Sequence, residues 1–389
     1  MNPESVPVYM DHAATTPVDP HVAARMMEYL TEQGVFGNPS SSSHAYGREA
    51  AAALHAARNH VAALIGAHSE EIVFTSGATE SDNLALLGVM RANSDRGRHL
   101  ITARTEHKAV VDSARRLEKE GFDVSWLMPD GDGRIATEQL RAAIRPDTQL
   151  VSIMHANNET GVVQDVDAIG AICREHGVPY HTDAAQSLGT LAVDVAHQPI
   201  DLMSFTAHKL YGPKGIAALF VANAARPRLA PLLYGGGHER GLRPGTPATH
   251  QVVGFAAAAQ LVSARRAADA RQLSTLRDAL QTRLLMLPGT HLNGHREHRL
   301  PGLLNISFEG VEGESLITDF EGELAVSGGA ACDSSTAEPS YVLRALGRAS
   351  QLAQSSLRFS LGRGTSAADV ERAAAIVERS VLRLRAVAP

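Results

Sequence analysis

The chain reads as an α/β protein, with a large domain of mostly parallel sheet flanked by helices and a smaller α+β domain. Three observations carry that reading. Short β-rich runs alternate with helical patterns through the first two thirds of the sequence. The pattern changes after about Gly254, where a long amphipathic stretch leads into a shorter mixture of strands and helices. Glycines, hydroxyls and charged residues also gather just beyond the β-rich runs, where open α/β sheets place their functional side chains.

Each element has its own signal. Asp19-Pro20 is an N-cap and first-turn pair for a helix with Val22, Met26 and Leu30 on one face. Leu54, Ala57, Val61 and Leu64 form the next apolar stripe, with Gly66 as its stop. Strand-like runs follow at 71–75, 99–103, 150–155, 178–183, 201–206 and 216–221. A helix is predicted over 166–176, stopped by Gly177. Leu273, Leu276, Leu280 and Leu284 mark a long helix running toward Pro288-Gly289. Beyond it come strands at 304–308, 324–327 and 356–360. A last helix starts near Ser366, with Val370, Ala373, Val377, Val381 and Leu384 on its buried face. The expected division is a large domain over 16–260 and a small one from 1–15 with 261–389, the latter carrying a loop at about 327–340.

The 389 residues suffice for two cores. A net charge of −6, from 36 basic and 42 acidic residues, gives no footprint for direct nucleic-acid or anionic-membrane binding. No apolar run approaches the roughly 18 residues of a membrane span, and the start MNPESVPVYMDHAATTP carries no leader pattern, so the expected location is cytoplasmic. Two cysteines, Cys173 and Cys332, exclude a disulfide framework.

The strand ends hold the chemistry. Phe74–Ser81 runs from a strand through Gly77 into a hydroxyl-rich helix start, which suits an anion, although such residues are more often only caps. Thr105-Glu106-His107-Lys108 and Asn157-Asn158-Glu159-Thr160-Gly161 follow two further strands; each alone could be structural. Asp183 closes a buried strand, where a carboxylate needs a cationic partner. A pyridinium N–H or an ordinary salt bridge would serve. His181 with Asp183 supplies only two ligands of a metal site, and no HxxxH or CxxC completes it, so no stable metal site is expected. Lys209 follows an apolar strand closely, a costly place for a charged amine; Schiff-base chemistry removes that cost, and taken singly a snorkelling surface lysine is at least as good a reading. Gly235–Gly241 and Arg243-Pro244-Gly245-Thr246 suit a phosphate or a plain surface loop. Cys332 lies among small, polar and helix-breaking residues, which predicts a mobile loop. Cys173 lies among apolar ones, so Cys332 is the better nucleophile, even with Asp333 opposing thiolate formation.

Taken together and in order, SGATESDN, TEHKAV, IMHANNETGVVQ, HTDAAQS, SFTAHKLYGPKG, GGGHERGLRPGT and EPSYVLRALG resemble the NifS/IscS-type cysteine desulfurases, class V aminotransferase-like enzymes of the pyridoxal-phosphate (PLP) transferase fold type I. The similarity runs from about Tyr9 to the last helix. It implies PLP bound to Lys209 as a Schiff base, with Asp183 on the pyridine nitrogen, Gln186 on the phenolic oxygen and His107 stacked on the ring. It implies phosphate contacts from Ala78, Thr79, Thr206 and His208, with Thr246 reaching over from the other subunit of a homodimer. Asn158 would lie near ring and substrate, and Arg358 would clamp the substrate carboxylate. The implied reaction converts L-cysteine to L-alanine and leaves a persulfide on Cys332. An iron–sulfur scaffold or another acceptor, in thio-cofactor or tRNA biosynthesis, then takes the sulfur, and Cys332 could touch a nascent cluster transiently. A selenocysteine lyase or cysteine β-lyase is the alternative on the same fold. The resemblance further implies that housekeeping members usually continue beyond the stretch matching Leu382-Arg383-Leu384-Arg385 into a segment that helps dock the cluster scaffold.

Overall fold

A computed structural model of the chain describes residues 6–223, 228–328 and 338–387. Its strands are β1 (Val8–Tyr9), β2 (Ile72–Thr75), β3 (His99–Ala103), β4 (Asp123–Leu127), β5 (Thr148–Ser152), β6 (Tyr180–Asp183) and β7 (Leu202–Thr206). They continue with β8 (Ala217–Val221), β9 (Thr290–Leu292), β10 (Leu303–Phe308), β11 (Leu324–Ala325), β12 (Ser327–Gly328) and β13 (Ser356–Ser360). The main sheet has the order β2-β8-β7-β6-β5-β3-β4. Its members are parallel except β8, which runs antiparallel to β2 and β7. This is the α/β class expected from the alternating pattern.

Chain length explains the reversed strand. A parallel crossover needs about a dozen residues or more, and the connection 207–216 is shorter than that. The chain therefore turns straight back from β7 into β8, and Lys209 sits on the turn, in the short 3₁₀ segment Ala207–Lys209.

Helices cover both faces. Asp19 caps Pro20–Met27 by accepting from the His21 amide at 2.9 Å. Val166–Glu175 ends where Gly177 takes φ +67°, a conformation that favours glycine. Under one face, Ile72, Ile101, Val151, Ile153, Met203 and Phe205 build the principal core with residues of the covering helices. Helix Ala78–Ala92 and helix Lys108–Lys119 close the other face through Leu84, Leu86, Val110 and Ala114.

A second sheet, β12-β13-β10-β9, is antiparallel throughout. Helix Ala367–Val387 packs Val370, Ile376, Val377 and Val381 against its Leu304, Ile306, Leu357 and Phe359. Thr249–Leu284 is one uninterrupted helix. Its first half, including Val252, Phe255 and Val262, belongs to the principal core, and Leu273, Leu280 and Leu284 belong to the second. Among the described residues no helix is long and apolar enough to cross a membrane.

Candidate active site

Strands β2, β3, β5, β6 and β7 all point their carboxyl ends to one edge of the main sheet. Most of the residues singled out in the sequence lie just beyond that edge. Lys209 Nζ donates to the Ala14 carbonyl at 2.8 Å and to that of Ala13. It lines a cleft with His12, Gln186, Tyr211 and Ser360. Gln186 Nε2 donates to the same Ala13 carbonyl at 2.9 Å. The segment after β1 is thus pinned under the turn that carries the lysine.

Asp183 closes β6, and its Oδ1 accepts from the Ala185 amide at 2.8 Å. Burial raises its pKa, while His107 and Lys209 pull it down. His107 is the N-cap of Lys108–Lys119, its Nδ1 accepting from the Ala109 amide at 3.1 Å, so the neutral ring carries its proton on Nε2. Burial lowers the His107 pKa, with Asp183 opposing and Lys209 assisting. These three residues therefore feel one another electrically at the sheet edge.

Helix Ala78–Ala92 begins after Gly77, which offers no side chain to the first-turn amides, and nothing lies within 4 Å of where a Cβ at Gly77 would stand. Its first-turn amides, at Ala78 and Thr79, thus have no side-chain cap. Thr206 is buried with its hydroxyl on the Ile216 carbonyl at 3.3 Å. His208 Nδ1 lies 3.2 Å from Thr15 Oγ1, and burial, then Lys209 and Lys214, push its pKa down to about 4. Asn158 is buried with Oδ1 lacking a hydrogen-bond partner. Arg358, on β13, donates to the Asn158 carbonyl at 2.9 Å and has a buried Nε with no hydrogen-bond partner. Thr246 is exposed. The glycine-rich loop before it is anchored by Glu239, whose carboxylate meets Arg58 at 2.7 and 2.5 Å and the Phe74 amide at 2.8 Å. Cys332 lies outside the described residues.

Sequence reasoning assigned no role to three acids that the fold buries. Asp82 is fully buried, with the Ser204 hydroxyl beside it and His181 Nε2 3.6 Å away. Burial and then Asp183 push its pKa well up. Glu106 accepts from the Met154 amide at 2.8 Å through Oε1, leaves Oε2 without a partner, and is likewise raised by burial. Glu159 is the third. A signal existed for Asp82, which shares the helical face of Ala85, Leu86 and Val89, a buried stripe where an acid is out of place. Among the described residues no group of three or more His, Cys, Asp or Glu is placed to hold a metal.

Residues 8–373 match the family described as Aminotransferase class-V, and the chain belongs to that family. A cysteine desulfurase IscS of Mannheimia succiniciproducens is 53% identical over 383 residues, 98% of this chain and 95% of the relative. A solved NifS-like protein superposes with a TM-score of 0.89 at 34% identity, covering 98% of this chain and all of the other. A structure described as SspA in complex with cysteine gives 0.79 at 37% identity, covering 91% and 98%. Within the class, the chain is a member of the NifS/IscS-type cysteine desulfurases.

The family implies PLP. The residues present fit it: an amine beside a cleft, a buried carboxyl within its electrostatic reach, and an uncapped helix start facing open space.

Proposed function

We propose that the chain is a PLP-dependent cysteine desulfurase, converting L-cysteine and the Cys332 thiol into L-alanine and a Cys332 persulfide. The observation that carries this reading is the grouping of Lys209, Asp183 and His107 at one sheet edge, each shifting the ionisation of another. Bound there, PLP supplies a conjugated, protonatable ring that accepts an electron pair from the substrate Cα.

The chain's own residues do the rest. Lys209 holds the cofactor aldehyde and, once released, its Nζ moves the proton at the substrate Cα. Asp183 keeps a charge opposite the pyridine nitrogen, and Gln186 donates to the phenolic oxygen. His107 covers the ring and carries its proton on Nε2. Ala78, Thr79, Thr206 and His208 hold the phosphate, with Thr246 contributed across a homodimer. Arg358 takes the substrate carboxylate, where its unpartnered Nε offers a donor, and Asn158 lies against substrate and ring. The Cys332 thiolate attacks the substrate sulfur: one S–S bond forms, the substrate C–S bond breaks, and the electron pair returns with a proton to give alanine. The persulfide then passes to an iron–sulfur scaffold or another sulfur acceptor in the cytoplasm.

Lys209→Ala should abolish the visible absorbance of the purified protein. Cys332→Ala should keep that absorbance and lose alanine formation from cysteine. Undiminished sulfide release by the Cys332 variant would move the assignment to a lyase that needs no protein thiol.

A further inference from the structure

Arg358 already faces a carboxylate of its own chain. Its Nη2 donates to Asp11 Oδ1 at 2.8 Å and to Ser327 Oγ at 2.9 Å, and its Nη1 donates to the Asn158 carbonyl. Ser327 Oγ in turn donates to Asp11 Oδ1 at 2.8 Å, closing a triangle. Three strands build this placement. Arg358 stands on β13 opposite Ser327 of β12, and Asp11 follows β1 and bridges to Ser360. The arginine side chain is 4% exposed and the aspartate 20%, so water screens the pair weakly.

A bidentate clamp on a carboxylate uses two parallel N–H groups along one edge of the guanidinium. On Arg358 the Nε–Nη2 edge keeps its Nε donor unpartnered, and Nη2 is the donor that Asp11 holds. The geometry points to Asp11 as a specificity-determining residue, an internal carboxylate that neutralises Arg358 before substrate arrives and competes with the substrate carboxylate for Nη2. This rests on Arg358 being the carboxylate site, as proposed above. A buried guanidinium without a counter-charge is costly, so Asp11 stabilises the substrate-free protein. It also lowers the gain available to any incoming carboxylate. Ligands without a carboxylate leave the pair in place and do not feel this competition.

The test is calorimetry on the cofactor-loaded enzyme with two fragments of cysteine. One is 3-mercaptopropionate, which has the carboxylate and no amine; the other is cysteamine, which has the amine and no carboxylate. Asp11→Asn removes the competing charge and keeps the shape. It should tighten 3-mercaptopropionate about ten-fold, the worth of one charge-assisted hydrogen bond, and change cysteamine by less than about two-fold. The KM for cysteine should fall with little change in kcat. Asp11→Ser serves the same comparison if the asparagine variant does not fold. Unchanged or weaker 3-mercaptopropionate binding in a folded variant overturns the proposal. Arg358→Met separates this from the reading beneath it. If that variant binds 3-mercaptopropionate as well as the parent does, Arg358 is not the carboxylate site and both ideas fall. If it loses binding while Asp11→Asn gains none, only the role of Asp11 falls.

Discussion

Replacing Glu159 with glutamine should make the protein more stable in alkali and leave it unchanged in acid below about pH 4. The Glu159 carboxyl is buried, and its Oε2 accepts from Ser340 Oγ at 2.5 Å. Ser340 also caps helix Tyr341–Ala345 by accepting from the Leu343 amide at 3.1 Å. Burial raises the Glu159 pKa from 4.5 to about 7, against the opposing pull of Ser340, Arg358 and Lys108. Between those two values the folded chain holds a proton that the unfolded chain has released. Folding stability from this site is therefore complete below the lower value and declines as pH rises through the upper one. The gap of about 2.5 units corresponds to about 3 kcal/mol once both states are ionised. Glutamine keeps an acceptor for Ser340 and cannot ionise. Urea midpoints should coincide for parent and Glu159→Gln near pH 3.5, below both values. Near pH 9 they should separate by up to about 3 kcal/mol in favour of the variant, with equal m values. A variant that is less stable at the higher pH, or equally displaced at both, would refute the reasoning.

Two further outcomes follow from other groups. Glu239→Ala leaves the Arg58 guanidinium, whose side chain is 14% exposed, without its bidentate partner, and should cost about 3–5 kcal/mol by denaturant midpoint; a loss under about 1 kcal/mol would show the anchor to be idle. Cys173 is buried, and burial pushes its thiol up to about 12; it should escape iodoacetamide in the native protein near pH 8 and react fully in urea, as read by peptide mass.

Most strands were legible because they are buried runs bounded by breakers. β3 and β13 coincide with their sequence readings residue for residue. The run beginning at Leu150 was read too far: β5 ends at Ser152, where its ladder with β3 stops, and the Met154 amide turns to the Glu106 side chain. β4 carried no signal, since Asp-Val-Ser-Trp-Leu is a half-exposed edge strand with no apolar run. The pattern read as changing after Gly254, yet helix Thr249–Leu284 crosses that point, and the expected boundary at 260/261, without a break. In the site, Lys209, Asp183 and His107 stood out as charges at strand ends. Asp11 did not, because its meaning lies in Arg358, remote in sequence and joined to it only by the pairing of strands. Asp82 and Glu106 stayed hidden for a related reason: an acid in a helix or turn reads as solvated until the fold encloses it.

The thirty-six residues of helix Thr249–Leu284 make a rod about 54 Å long at the usual rise per residue. One end packs into each hydrophobic mass, so melting of either removes packing from half of the same helix. Any rocking between the two masses has to bend this beam or slide one of them along it.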